Sequence, residues 1–400
     1  MNEVVLNDIC ELIVDCPHST AYDEGTGYPL VRTPNIGRGR LIYSGMHRVC
    51  EEVYNKRNAR AIPQTNDLIF AREATAGNVA LIQEGEKVCL GQRTVLIRPN
   101  ANLVNPAFLT YHLLAPEQQY KLLSTANGAT VAHVNMQTIR NLKLSLPPLA
   151  TQHRIATILS RYDSLIENYQ KQIKLLEEAA QRLYKEWFID LHFPGHENTN
   201  ITNGVPEGWE KKPALDFFEM SIGRTPPRTQ KQWFTKGSNG IPWVSISDMK
   251  DTMFVQETAE ELTQDACENY NIKVIPKGTI LLSFKLTVGR VAFAGADVCT
   301  NEAIAHFQKE GDEWKAYTLM YLRNYNYDSL GNTSGISKAV NSTIIKNMPF
   351  VMPCTAILQE FSQRVLPFIK QTENLQSQLR LLTEARDRLL PKLMSGEITL

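Results

Sequence analysis

His18, His47 and His133 are the side chains most suited to proton transfer, and none stands beside a residue that would orient it. The acidic residues form no paired arrangement of the kind that holds a catalytic metal. Asn105-Pro106-Ala107-Phe108 approaches an Asn-Pro-Pro-Phe motif that grips an exocyclic amine, but the second proline is missing. It reads better as a helix start, with Asn at the cap and Pro in the first turn. Phe293-Ala294-Gly295-Ala296-Asp297 loosely resembles a glycine turn for a nucleotide, without the strand–turn–helix frame that would present backbone amides. Walker-type phosphate loops, nucleophile elbows and zinc-protease helices are missing too. The chemistry expected of this chain is recognition.

Two stretches have the residue types for it. Arg32-Thr33-Pro34-Asn35-Ile36-Gly37-Arg38-Gly39-Arg40 is a dense cationic run. Arg32, Arg38 and Arg40 can fork onto phosphates or guanine edges, and Asn35 can pair with adenine. Arg57, Arg60, Arg72 and Thr75 are candidates to extend that surface. The competing reading is an exposed loop balanced by Glu51 and Glu52. The second stretch, Gly223-Arg224-Thr225-Pro226-Pro227-Arg228, supplies Arg224, Thr225 and Arg228 on a rigid proline loop, with Ser245 and Ser247 following Ile241-Pro242-Trp243-Val244. Lys285 and Thr287 are assigned to the equivalents of Arg72 and Thr75. Trp233 and Trp243 are assigned to the core, because duplex DNA offers no free base face.

The elements that must position these residues fall into an alternating order. Residues 1–148 carry short strands (Leu68–Ala71, Val79–Ile82, Thr94–Ile97, Leu142–Leu146) between turn residues, an α+β pattern. After Pro147-Pro148 apolar residues recur in alternating steps of four and three: Ile155, Leu159, Tyr162, Ile166, Tyr169, Ile173, Leu176, Ala180, Leu183 and Trp187. That is a coiled-coil seam on a helix of residues 149–190, about 50 Å long. A turn-rich linker, 191–206, leads to a second globular stretch, 207–353. A second helix, 354–400, carries Phe361, Val365, Phe368, Leu375, Leu379, Leu382, Leu389 and Leu393 on its seam. Thr372 and Arg386 interrupt that seam, and Pro367 is expected to kink its first turns. The economical arrangement pairs the two helices antiparallel as one rod with a globular stretch at each end; the alternative pairs each with a different chain.

The chain also repeats itself. A shift of 206 residues carries Val134, Asn135, Ile139, Asn141 and Pro147 onto Val340, Asn341, Ile345, Asn347 and Pro353. The same shift carries Leu175, Leu176, Glu178, Ala179, Arg182 and Leu183 onto Leu381, Leu382, Glu384, Ala385, Arg388 and Leu389. Upstream, Pro29-Leu30-Val31 matches Pro242-Trp243-Val244, with the apolar pattern kept and the polar residues changed. Such duplication predicts a pseudo-two-fold molecule whose two copies read different targets, or ordinary divergence.

Composition sets the remaining bounds. The 400 residues, 43% hydrophobic and 21% charged, suit a soluble chain of two or three domains. The start MNEVVLNDIC is unlike a signal peptide, and no apolar run approaches the roughly 18 residues of a membrane span. Seven scattered cysteines without a C-x-x-C pair read as reduced thiols, not a zinc site. With 42 basic against 42 acidic residues the net charge is zero, so any nucleic-acid contact must rely on local patches or on a partner's cations.

Taken together these residues resemble the specificity subunit of Type I restriction–modification systems. The resemblance is carried by Val14-Asp15-Cys16-Pro17-His18-Ser19-Thr20, Gly223-Arg224-Thr225-Pro226-Pro227-Arg228, Ile241-Pro242-Trp243-Val244, Leu183-Tyr184-Lys185-Glu186-Trp187-Phe188 and Leu389-Leu390-Pro391-Lys392-Leu393-Met394-Ser395-Gly396-Glu397-Ile398. It implies two tandem target-recognition domains, 1–148 and 207–353, separated and joined by an antiparallel pair of long helices. It further implies that each domain reads one half of a bipartite, asymmetric double-stranded DNA target. Two modification subunits and two restriction subunits are the implied partners, in a prokaryotic cytoplasm. Cofactors are expected on those partners, S-adenosylmethionine, ATP and Mg2+, with none on this chain, which would perform no catalysis itself.

Overall fold

The computed structural model describes residues 2–124, 133–237, 240–250, 252–330, 340–398 and 400. They form two compact units: Met1–Glu167 with Leu381–Leu400, and Asn168–Arg380. Each unit therefore contains part of both long helices, Leu149–Tyr184 and Thr355–Ser395.

In the first unit the strands Cys10–Asp15, Thr94–Pro99, Leu68–Ala71 and Val79–Leu81 form an antiparallel sheet in that order. Leu68-Ile69-Phe70-Ala71 is buried on every residue, because the sheet is covered on both faces. Leu68 and Phe70 join Val79, Val95 and Ile97 in one core, while Ile69 and Ala71 join Ala80 and Leu96 in another. Alternate residues of a strand point to opposite faces, so an unbroken apolar run fills both. A smaller sheet orders His47–Val49, Tyr28–Val31 and Cys89–Leu90, the last pair parallel. Asn105 caps the helix Pro106–Leu114 by accepting from the Phe108 N–H at 2.9 Å, as its position beside proline predicts.

The second unit repeats this plan. Leu68 pairs with Leu81 in one sheet, and Ile280 pairs with Phe293 in the other, 212 residues on. Ile280 and Leu282 face one core; Leu281 joins Ala292, Ala294 and Ile304 in a second. Leu30 beside Cys89 recurs as Trp243 beside Cys299, both parallel. Asn135 and Asn341 are both helix N-caps, accepting from Thr138 and Ile344. All seven cysteines are free.

Within each unit the helical stretches pack antiparallel. In the first, Ile155 and Leu159 share a core with Leu393 and Met394, and further along Asp163 meets Arg386 at 2.9 Å. In the second, Tyr184 and Trp187 lie against Phe361, and the Arg364 guanidinium stands over the Trp187 ring at 5.3 Å. Ile155, Leu159, Ile166, Trp187, Phe361, Val365, Leu375 and Leu393 are buried. Tyr162, Tyr169, Ile173, Leu176, Leu183, Phe368, Leu379, Leu382 and Leu389 are half-buried. The seam is thus driest near the globular parts of each unit. Arg386 interrupts the pattern because its partner is a buried carboxylate: Asp163 also accepts a 2.5 Å hydrogen bond from Tyr111. The second helix runs unbroken through Pro367, and the first closes in a wide turn where the Asp190 N–H reaches the Lys185 carbonyl.

Candidate nucleic-acid interface

In the first unit, the turn after strand Tyr28–Val31 is tied by its own side chains. The Arg32 N–H donates to Asn35 Oδ1, and Asn35 Nδ2 donates to the Ile42 carbonyl at 3.1 Å. Asn35 is 2% exposed, so it builds the turn and cannot reach a base; that expectation is corrected. Arg72 is corrected likewise. It is buried, its Nη1 2.8 Å from Asp15, its Nε donating to the Val134 carbonyl, its Nη2 2.9 Å from His133 Nε2. His133 continues this chain to Glu73, at 2.6 Å. Arg57 too is buried, whereas Arg60 is exposed and donates to the Asp15 carbonyl. Sequence shows which residues are cations; it does not show which backbone carbonyls will claim them.

What remains outward is smaller. Arg38 is exposed, with one nitrogen on the Leu114 carbonyl, and Thr75 is exposed, donating to the Thr33 carbonyl. Arg32 is half-buried with Nη2 on the Gly45 carbonyl. Arg40 turns to Glu167 on the long helix, 2.8 Å away, and so anchors the loop.

The second unit builds the same turn from other residues: the Ser245 N–H donates to Asp248 Oδ2 at 2.8 Å, as Arg32 does to Asn35. Ser245 Oγ lies 2.6 Å from Ser247 Oγ. Ser245, Ser247, Lys285, Leu286, Asn301 and Glu302 line a groove of about 560 Å³. Thr225 donates to Glu302, so the proline loop reaches the same place. Burial pushes the Glu302 pKa up, yet the Thr225 hydrogen bond and the charges of Lys285 and Arg228 leave it lowered. A carboxylate there can accept from a cytosine amine, and Lys285 can meet a phosphate or guanine. Arg224 is exposed and donates to the Tyr270 carbonyl. Arg228 is exposed, paired with Glu260 at 2.7 Å and stacked 4.5 Å from the centres of Phe234 and Trp243. Trp243 is a core residue, as expected, while Trp233 is half-buried against Tyr270.

The equivalence of the loops needs one correction. The Val134 N–H donates to the Arg72 carbonyl and the Val340 N–H to the Phe284 carbonyl, so Arg72 corresponds to Phe284 and Lys285 to Glu73. Thr287 corresponds to Thr75 as expected, each two residues before a glycine, Gly77 and Gly289, at φ 89° and 92°. Just before these threonines, Ala74 and Leu286 hold the same left-handed backbone, φ 59° and 60°. Leu286 is 73% exposed. Neither it nor Glu302 was legible as a site residue, since one is apolar and the other lies 77 residues from Thr225. Among the described residues no group of three or more His, Cys, Asp or Glu is placed to hold a metal, and no helix is long and apolar enough to cross a membrane.

Comparison with known proteins gives a consistent match. The family model of the Type I restriction modification DNA specificity domain fits residues 1–178 and again 206–383. The MjaIX Type I restriction enzyme specificity subunit of Methanocaldococcus jannaschii is 27% identical, over 98% of this chain and 92% of its own length. The HindI specificity subunit of Haemophilus influenzae is 23% identical, over 76% and 80%. Among solved structures, the Type I restriction-modification S subunit from M. genitalium superposes with a TM-score of 0.64 at 14% identity, over 98% of this chain and 95% of that one.

Proposed function

The chain belongs to the family of the Type I restriction modification DNA specificity domain, and from that membership we propose that it reads a bipartite, asymmetric double-stranded DNA sequence for partner subunits that carry out the chemistry. Each unit takes one half-site, and the paired helices set the length of the unread spacer. The observation that carries this reading is a duplicated scaffold whose equivalent turn and loop positions differ. Arg32 and Asn35 are exchanged for Ser245 and Asp248, Ala74 for Leu286, and Glu73 for Lys285. Identical frames with unlike polar groups suit two unlike half-sites.

The outward candidates are Arg32, Arg38, Thr75, Arg224, Thr225, Arg228, Ser245, Ser247, Lys285 and Thr287, joined by Glu302. Two modification subunits with S-adenosylmethionine and two restriction subunits with ATP and Mg2+ complete the proposed assembly, in the cytoplasm. Those partners add cationic surface that a chain of zero net charge needs.

Mapping methylated adenines in host DNA with and without this gene tests the reading: loss of one bipartite methylation pattern is expected. Retention of every pattern overturns it. Exchanging residues 1–148 for those of another family member is expected to change one half-site alone. A change in both halves would separate reading from the two-unit organisation.

A further inference from the structure

Of the two buried arginines of the first unit, Arg72 is paired with Asp15 and Arg57 is not ion-paired among the described residues. Arg57, 5% exposed, ends the helix Glu51–Arg57 and donates to three carbonyls, Leu90 at 2.5 Å, Ser19 at 3.0 Å and Pro17 at 3.4 Å. A guanidinium has five N–H groups, so this set does not exhaust it. Among the described residues it makes no ion pair. Its pKa is lowered by burial, and the groups that oppose that, Cys89 and Cys16, are thiols whose own pKa values burial raises. A buried positive charge without a counter-charge is costly and calls for an anion.

Arg57 lines a pocket of about 230 Å³ in the first unit, together with Thr20, Arg32, Thr33, Gln92 and Arg93. Arg32 Nε is buried there without a hydrogen-bond partner among the described residues. Arg93, on the rim with φ 63°, pairs with Glu73. Three arginines thus line a cavity whose volume exceeds that of a tetrahedral oxyanion, since a water takes about 30 Å³. Planar, multi-donor guanidiniums are the side chains suited to phosphate. In the second unit the matching positions are Asn269, the last residue of the helix Gln264–Asn269, and Ser245, so the feature is confined to one copy.

We propose that the pocket formed by Arg32, Arg57 and Arg93 seats a single phosphate, supplied by the backbone of the DNA that this chain reads. It rests on the proposed DNA-reading function for the source of the phosphate, though not for the pocket itself. The seated phosphate fixes the register of the first unit on its half-site, and the second unit relies on other contacts.

Two arms test it. In the first, thermal unfolding of the full chain is compared in inorganic phosphate and in chloride at equal ionic strength, for the natural protein, Arg32→Gln and Arg57→Met. A phosphate-dependent rise in Tm that Arg32→Gln removes is expected. No rise, or an equal rise in Arg32→Gln, overturns the pocket; this variant is half-buried and keeps the judgement open should Arg57→Met fail to fold. In the second, the chain assembled with its modification subunits is titrated with target duplexes carrying one neutral methylphosphonate at successive positions. One position in a single half-site is expected to weaken binding about tenfold, with Arg32→Gln insensitive there and its salt slope lower by about one. If no position loses its effect in Arg32→Gln, the occupant is a free anion and the DNA source falls. Absence of any sequence-specific binding would instead count against the proposed function, leaving the first arm to decide the pocket.

Discussion

At the scale of single residues, direction mattered more than type. Arginines were visible in the sequence, but Arg57 and Arg72 turn inward to carbonyls that no residue type encodes. Asn35 was visible as a base-pairing amide and serves a turn. Glycine 223 shows the reverse case, a residue with no side chain that decides where its neighbours go. A Cβ there would run into Thr300 Oγ1 and the carbonyls of Thr300 and Asn301. Gly223→Ala is therefore expected to cost roughly 1–3 kcal/mol through overpacking and to displace Arg224 and Thr225. Urea unfolding reads the first effect and target affinity the second. Unchanged stability with unchanged affinity would show that the backbone there yields freely.

At the scale of elements, the heptad spacing predicted the first helix and its seam well, because steps of four and three have few other causes. The interruptions of the second seam were legible as defects and not as their remedies. Arg386 answers Asp163, a residue on the other helix 223 positions earlier, and no local pattern could reveal that pairing. Burial draws the Arg386 pKa down, and the Asp163 and Asp387 carboxylates more than restore it. Arg386→Leu strands a buried carboxylate and is expected to destabilise the first unit by about 3 kcal/mol; adding Asp163→Leu should recover part of that loss. Equal destabilisation in single and double variants would deny the coupling. Thr372 is the opposite kind of interruption. It is fully buried, with its hydroxyl unpaired among the described residues. Thr372→Val keeps the shape and removes the orphan, so a gain of about 1 kcal/mol in chemical denaturation is expected.

At the scale of the whole molecule, each unit buries one histidine. His112 has neither ring nitrogen hydrogen-bonded among the described residues, and burial lowers its pKa to about 4. His306 lies between Ser221 and Thr300, and burial, with a smaller push from Lys273, lowers it also to about 4. The unfolded chain takes up these protons near pH 6.5, before the folded one does. Stability is accordingly full above about pH 6.5 and falls as pH drops towards 4, by roughly 3 kcal/mol per histidine. Urea titrations at pH 7.5 and 4.5 check this. His112→Leu should flatten the response of the first unit only, and His306→Gln that of the second only. The duplication itself was legible because apolar periodicity and glycine positions survive divergence. What the units hold outward was not, because those polar residues are the ones that differ.

The division of the long helices has a consequence for how the protein is made. Leu393 and Met394 help close the hydrophobic core of the unit that begins at the other end of the chain. During synthesis that unit must wait, partly open, while all of Asn168–Arg380 leaves the ribosome, whereas the later-made unit has every segment it needs first. A stop codon after Arg380 should therefore spare the second-born unit and expose the first-born one to proteases.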